Sequence, residues 1–267
     1  MLMRISLPPA FDDGLHRLRL ADGRAAIAKI RRDAPADFFA AEVRGLDALR
    51  ATRTLRVPQV FEVGTDAIVL EDLGAGHATI EDWQHAGSRL AQMHRTAQTT
   101  FGFATDGCCG DSAQDNRQDL DGYAFFAQRR LLAQAVRAQS NGLLDSAELC
   151  RVEHIAAHLS DWLPPMPPVL VHGDLWLGNL HACADGELAL IDGGAVHHGW
   201  AETDLSMLIL FGEPPRDFFD AYESSTGSGR EWRERAPLYN LYHLLNHLNL
   251  FGTGYRSAVR AVIDRYT

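Results

Sequence analysis

Leu15, Leu18 and Leu20 punctuate a polar run from Leu15 to Leu20, and an apolar run from Ala25 to Ile30 is broken only by Lys29. The Ala21-Asp22-Gly23 turn between them has the chemistry a tight hairpin favours, so the chain is expected to open on two antiparallel strands. Asp33, Ala34 and Pro35 then offer a cap and a first-turn proline, predicting a helix through about Arg50. Phe38, Leu46 and Leu49 form its apolar stripe. Two short apolar runs follow, Val57 to Val63 and Ala67 to Leu70, with a turn at Gly64. The expected unit is a small, mostly antiparallel sheet carrying one helix.

From Glu71 to Gly76 the chain turns acidic and glycine-bearing, and beyond it the apolar period becomes helical. Ile80, Trp83, Gly87, Leu90 and His94 recur at helical spacing, as do Leu241, Leu244, Leu245, Leu248 and Phe251. Two extended runs interrupt the helices, Val169 to Val171 and Glu187 to Ile191, each followed at once by polar residues. The stretches Thr105 to Gln118 and Ser224 to Gly229 read as flexible loops. The expected fold class is α+β in two units, residues 1–73 and the mainly helical 74–267.

Composition narrows the function. The 267 residues are 46% hydrophobic, enough for a sizeable core, with no apolar run long enough to span a bilayer. Met1 to Pro9 lacks the pattern of a cleaved leader, and four cysteines without paired CxxC spacing read as thiols of a reducing cytoplasm. A net charge of −10 argues against nucleic acid or anionic membrane as partner, because affinity for phosphate backbones needs clustered Lys and Arg. Any phosphate handled here is held by a few local groups or by metal.

Strand alternation puts Lys29 on the face of Ile27, and helical spacing puts Glu42 on the stripe of Phe38, Leu46 and Leu49. Two opposite charges on buried faces of one small unit suggest a pair, since a lone buried charge is costly. The alternative is that the Lys29 stem snorkels and Glu42 sits at the edge of its stripe. His172-Gly173-Asp174-Leu175-Trp176-Leu177-Gly178-Asn179 follows a strand and, with its glycines, must be a loop. Its Asp and Asn can serve as a proton acceptor and a ligand for a hard cation. A second strand ends in Asp192-Gly193-Gly194, whose carboxylate could bind the same Mg²⁺, although Asp-Gly after a strand is also an ordinary turn.

The order Lys, Glu, Asp…Asn, Asp is the part list of a kinase-type phosphoryl-transfer site. The chain resembles the aminoglycoside phosphotransferase and choline kinase superfamily, and within it the fructosamine kinase (ketosamine 3-kinase) family. The motifs are the His172 to Asn179 loop with its Trp, Phe101-Gly102-Phe103 with Gly110, Gln114 and Asn116, and Phe125-Phe126 with Arg129-Arg130-Leu131. Gly199 with Glu202-Thr203-Asp204-Leu205 and Asn246-His247-Leu248-Asn249-Leu250-Phe251-Gly252 continue the agreement, and Glu42-Val43-Arg44-Gly45-Leu46 with Arg56-Val57-Pro58 match the small lobe.

The resemblance implies a bilobal protein-kinase-like fold and an ATP- and Mg²⁺-dependent kinase acting on a sugar hydroxyl of a small-molecule or glycated-amine substrate, a fructosamine or ribulosamine. It implies Asp174 as base, Asn179 and Asp192 as metal ligands, Lys29 on the α/β phosphates with Glu42 as partner, and Glu71 to Leu73 contacting adenine through the backbone. Trp176 would line the ketosamine pocket, or brace the loop as a core residue. Two departures stand out. Ala10-Phe11-Asp12-Asp13-Gly14 occupies the place of a glycine-rich phosphate turn, with carboxylates that would repel phosphate, and Gly193 replaces the proline usual after the metal-binding aspartate. A kinase for another hydroxylated acceptor, a non-catalytic nucleotide-binding module and a metallohydrolase using His172, Asp174, His197 and His198 are the other readings. His94 is expected as a core or interlobe histidine, His172 as a brace of its loop, Glu202 and Asp204 as structural, and Cys108 and Cys109 as incidental loop thiols. Oligomeric state is not legible.

Overall fold

A computed structural model describes residues 11–267; the stretch from Met1 to Pro9 and Ala10 of the phosphate-turn segment lie outside the described residues. Strands β1 (Gly14–Arg19), β2 (Ala25–Ile30), β3 (Val60–Val63) and β4 (Ala67–Glu71) form one antiparallel sheet in the order β1-β2-β4-β3, with helix α1 (Phe38–Ala51) crossing it. Strand β2 is interior, so Lys29 pairs with Leu15 on one side and Ile68 on the other. Its alternation is physical: Ala26, Ala28 and Ile30 pack with Ala67 and Val69, while Ile27 and Lys29 face the other way.

Two boundaries differ from expectation. The helix starts at Phe38 rather than at the Asp33-Ala34-Pro35 cap, because Asp33 pairs with Arg31 and the Pro35 carbonyl closes a turn onto the Phe38 amide. Strand β3 starts at Val60 rather than Val57; Pro58 has no amide hydrogen for a ladder, and Val57 is a core residue instead.

The rest of the chain is mainly helical. It comprises α2 (Ile80–His94), the hairpin β5 (Gly107–Cys109) and β6 (Ser112–Gln114), then α3 (Gly122–Phe126), which runs through a π-helical stretch at Ala127–Leu132 into α4 (Ala133–Ser140). Helix α5 (Ser146–Ala157) precedes β7 (Val169–Val171), the pair β8 (Leu180–Ala182) and β9 (Leu188–Leu190), and β10 (His197–Gly199), which pairs with β7. Helices α6 (Ala201–Leu208), α7 (Arg216–Thr226), α8 (Trp232–Phe251) and α9 (Arg256–Tyr266) complete the fold. Both apolar stripes read from the sequence fall on α2 and α8.

The stretch 105–118 is not a loose loop. It folds as the β5-β6 hairpin, because its polar residues have buried partners: Gln114 donates to the Ala195 carbonyl at 3.0 Å, and the Arg130 guanidinium donates to Asn116 Oδ1 at 2.7 Å. Cys109 is therefore a buried strand residue and not an incidental loop thiol. Two large cores form. One centres on Phe125, Leu131, Trp200, Tyr239 and Leu245 within the helical part. The other joins Leu46, Leu49, Ile68 and Leu70 of the sheet unit to Leu90, Leu175, Leu188 and Phe218, so apolar packing is continuous between the two units.

Candidate active site

The cleft between the sheet and the helical part is walled by Leu15, Ile27, Leu70, Leu73 and Ile191, with Asp72 and Gly74 at one end and Lys29, Glu42 and Asp192 at the other. Lys29 Nζ donates to Glu42 Oε2 at 3.0 Å and to Asp192 Oδ1 at 3.1 Å. Three residues from β2, α1 and the turn after β9 thus converge on one point. The snorkelling alternative for Lys29 and the stripe-edge alternative for Glu42 both fall, since Glu42 is 2% exposed and bonded to the lysine.

A close backbone approach makes the convergence geometrically feasible. A Cβ added at Gly45 would lie 1.8 Å from the Gly193 carbonyl oxygen, and one at Gly193 would lie 2.6 Å from the Leu46 amide nitrogen. Only glycine at both positions lets α1 lie against the Asp192 turn, one helical turn from Glu42. A glycine inside an otherwise good helix was the sequence signal for this contact. Asp192 itself adopts left-handed backbone, φ 65° and ψ 68°, which turns its carboxylate back toward Lys29.

The electrostatics follow from burial and pairing. Burial would lower the Lys29 pKa, but Glu42 and Asp192 outweigh it and hold the ammonium well above the ordinary lysine value. Burial pushes the Glu42 carboxyl up; Lys29 pulls it back and the Asp192 charge adds to the push.

Asp174 lies on the next loop. His172 Nε2 is 2.8 Å from the Ile191 carbonyl oxygen and ties the two loops together, as its bracing role predicts. Asn179 Nδ2 donates to the Asp174 carbonyl at 2.8 Å, which leaves the Asn179 amide oxygen as the atom available to a cation. Asp204, fully buried, accepts from the amides of His172 at 2.7 Å and Gly173 at 2.9 Å, and His94 Nε2 stands 3.4 Å away with Tyr222 on its other nitrogen. Burial alone would raise the Asp204 carboxyl, yet these donors hold it below its usual value. His94 and Asp204 are structural, as expected; Glu202 instead pairs with Arg235 of α8.

Among the described residues Asp174 has no Lys or Arg partner. Burial pushes its carboxyl up to about 6, with the charges of Asp192 and Asp204 adding to the shift against the pull of His172. The group nearest to it in charge terms is His243 Nδ1 at 3.8 Å, and burial takes that histidine down to about 3, so it is neutral. His243 beside Asp174 was not singled out from the sequence, and Cys109 was expected there only as an incidental loop thiol. The signal was present: His243, Asn246 and His247 interrupt the apolar pattern of α8.

Trp176 is 42% exposed, which removes the core reading. Its ring covers Gly178, where a Cβ would come within 2.3 Å. In the hinge, the Glu71 amide donates to the Gln59 carbonyl at 2.8 Å and the Leu73 carbonyl accepts from Ala184 at 3.0 Å, so both backbone groups are already engaged. The Glu71 carboxylate pairs with Arg56. In the segment offered as a phosphate turn, Asp13 pairs with Arg32 at 3.1 Å and also accepts from the Arg32 amide, so that carboxylate is partly neutralised. The cluster of the metallohydrolase reading does not assemble: among the described residues the grouped metal-capable side chains are Cys109, Asp174 and His243, with neither His197 nor His198. No helix among the described residues is long and apolar enough to cross a membrane.

Comparison with known proteins agrees with this geometry. The family model described as fructosamine kinase matches residues 16–267. A probable ketoamine kinase of Synechocystis is 36% identical over 92% of this chain and 84% of its own length. The chloroplastic protein-ribulosamine 3-kinase of Arabidopsis thaliana is 31% identical over 92% of this chain and 77% of its own. A Thermobifida fusca crystal structure described as a fructosamine-3-kinase superposes with a TM-score of 0.87 at 34% identity, covering 94% of this chain and 88% of that one. The streptomycin- and ATP-bound aminoglycoside phosphotransferase APH(2")-IIa shares the fold alone, with a TM-score of 0.62 at 14% identity over 94% of this chain and 91% of its own. The bilobal, protein-kinase-like α+β architecture is therefore borne out, and the chain belongs to the fructosamine kinase family.

Proposed function

We propose that this fructosamine kinase family enzyme transfers the γ-phosphoryl group of ATP to a sugar hydroxyl of a ketosamine, a fructosamine or ribulosamine carried on an amine. The observation that carries the reading is the Lys29 ammonium held by Glu42 and Asp192 at the mouth of an apolar slot, with Asp174 on the adjoining loop. In this reading residues 1–73 hold the nucleotide and 74–267 supply the catalytic loop and acceptor pocket. Adenine lies between Leu15, Ile27, Leu70 and Ile191, paired to the Asp72 carbonyl and the Leu73 amide, since Glu71 N and Leu73 O are already engaged. Lys29 meets the α/β phosphates, and Glu42 keeps it aimed.

Asn179 and Asp192 present oxygen donors only, a set that suits Mg²⁺. Those two residues would hold it, and the ion when bound neutralises charge on the phosphate oxygens. Asp174 orients the acceptor hydroxyl and takes its proton as the new P–O bond forms and the bond to the ADP oxygen breaks. A buried carboxylate titrating near 6 is ionised at neutral pH yet basic enough to accept that proton. Positioning and charge neutralisation supply most of the rate. Trp176, half-exposed on the same loop, flanks the ketosamine.

The module reading rested on Asp12 and Asp13, and the Asp13 to Arg32 pair weakens it. The deciding experiment is phosphate transfer from ATP to a fructosamine or ribulosamine amino-acid conjugate, with the product identified by phosphorus NMR. An acceptor-dependent phosphate ester is the expected outcome. Release of inorganic phosphate alone, or transfer to aminoglycosides and not to ketosamines, would overturn the substrate assignment.

A further inference from the structure

Beside Asp174 lie two donors, Cys109 and His243, for which the phosphoryl transfer has no use. Cys109 of β5, His243 of α8 and Asp174 of the catalytic loop come together from three elements. Cys109 Sγ is 4.0 Å from His243 Nδ1, which is 3.8 Å from Asp174 Oδ1, and the thiol, imidazole and carboxylate atoms all lie within 4.8 Å of one another. The imidazole-to-carboxylate contact is too long for a hydrogen bond, and the thiol contact sits at the outer limit for sulfur. A small cation accounts for the arrangement better. Tetrahedral zinc with bonds of about 2.0–2.3 Å places such donors about 3.4–3.6 Å apart. The two edges at His243 would close by roughly half an ångström, and the Cys109–Asp174 edge, which lies within 4.8 Å, by up to about 1.3 Å to complete a three-ligand site.

We propose that Cys109, His243 and Asp174 form a second metal site, selective for a borderline divalent cation such as Zn²⁺, and that filling it shuts off the acceptor site by capturing the base. Donor chemistry separates this site from the one at Asn179 and Asp192. Sulfur and imidazole nitrogen select zinc-class ions, whereas amide and carboxylate oxygens suit magnesium. The charges balance, because a thiolate, a carboxylate and a dication sum to zero in a place where Cys109 is 2% and His243 4% exposed. On binding, the cation displaces the thiol proton to solvent, and Asn246 Nδ2, 3.4 Å from the sulfur, is placed to donate to the thiolate. The fourth coordination position is left to water.

The consequence for turnover rests on the phosphotransferase reading; the coordination does not. Co²⁺ alone, titrated into the nucleotide-free protein, is expected to give a thiolate-to-cobalt charge-transfer band that Zn²⁺ abolishes. Cys109→Ala should lose the band and raise the inhibitory Zn²⁺ concentration by more than about tenfold, the loss seen even for an outer partner of a metal ligand, with metal-free activity retained. A His154→Gln, His158→Gln double variant, removing an exposed histidine pair with ring centroids 4.2 Å apart on α5 and its cap, should change neither readout. Zn²⁺ inhibition is expected to compete with the ketosamine and to persist in excess Mg²⁺. Absence of the band in the native protein, its survival in Cys109→Ala, or inhibition competitive only with ATP would overturn the proposal. Should Cys109→Ala not fold, Cys109→Ser replaces it with the same criteria. If no ketosamine is ever phosphorylated, the proposed function falls and the cobalt spectrum still decides the site.

Discussion

Asp174 follows β7 and Asp192 follows β9, on loops that His172 ties together through the Ile191 carbonyl, yet their surroundings are opposite. The Asp192 side chain is 51% exposed and has an ammonium at 3.1 Å; the Asp174 side chain is 24% exposed and has only a neutral imidazole at 3.8 Å. One carboxylate is paired and open to water, as a ligand that exchanges a lysine for a cation must be. The other is buried without compensation, which keeps it basic. In the proposed mechanism the same residue type takes two roles because one sits beside a cation and the other does not.

The largest effect that would test this contrast is Asp174→Asn. As the general base its loss should lower kcat by about 10²- to 10⁴-fold with the KM for ATP nearly unchanged. Stability should move the other way. The folded carboxyl titrates near 6, above its unfolded value, so its stabilising contribution is present in the protonated form and is lost as pH rises through 6. At pH 8 the amide variant should be more stable by on the order of 1 kcal/mol, read by denaturant titration. A destabilised variant with full turnover would break the assignment at both ends.

Asp192→Asn should behave differently. It removes a metal ligand and a partner of Lys29, so the apparent affinity for Mg²⁺ and nucleotide should fall by roughly 10- to 100-fold or more, seen in thermal-shift titration with Mg·ATP. Equal nucleotide-dependent stabilisation in Asp192→Asn and the native protein would erase the difference between the two carboxylates. The pH profile sharpens it further. Turnover needs the ionised base, so kcat/KM for the acceptor should fall about tenfold per unit below pH 6 in the native enzyme. A profile flat down to pH 5 would remove Asp174 as the titrating group. The smallest effect belongs to Trp176→Ala. In the proposed acceptor pose its half-exposed ring flanks the ketosamine away from the reacting atoms, so the acceptor KM should rise by about tenfold with kcat little changed.

Local features were readable before any coordinates. Lys29 alternates with Ala28 and Ile30 along β2, and Glu42 follows Phe38 by one helical turn, so both charges could be placed on inward faces from spacing alone. The glycines of the 172–179 and 192–194 stretches marked loops at the ends of strands, and the order of the polar residues supplied the chemistry. The structural place of His94 followed from its position on an apolar helical stripe, and the bracing by His172 from the family resemblance. Other features escaped because their cause lies far along the chain. The hairpin at 107–114 looked loose because its polar residues find partners far along the chain: Gln114 in the Ala195 carbonyl and Tyr242, and Ser112 in Arg137. Helix α1 begins late because Asp33 meets Arg31 instead of capping it.

The chain's own pattern decided the element types, because periodicity and turn chemistry are short-range properties, and its resemblance to a known family supplied the kinase-like fold and the reading of Lys29, Glu42, Asp174, Asn179 and Asp192 as one polar set. Tertiary structure alone decided which of those groups meet and in what charge state. The Gly45 to Gly193 contact, the neutral His243 and buried Cys109 beside Asp174, and the ammonium shared by Glu42 and Asp192 all join residues distant in sequence. Burial and charge neighbours act through space, and they set the proton affinity that separates a ligand from a base.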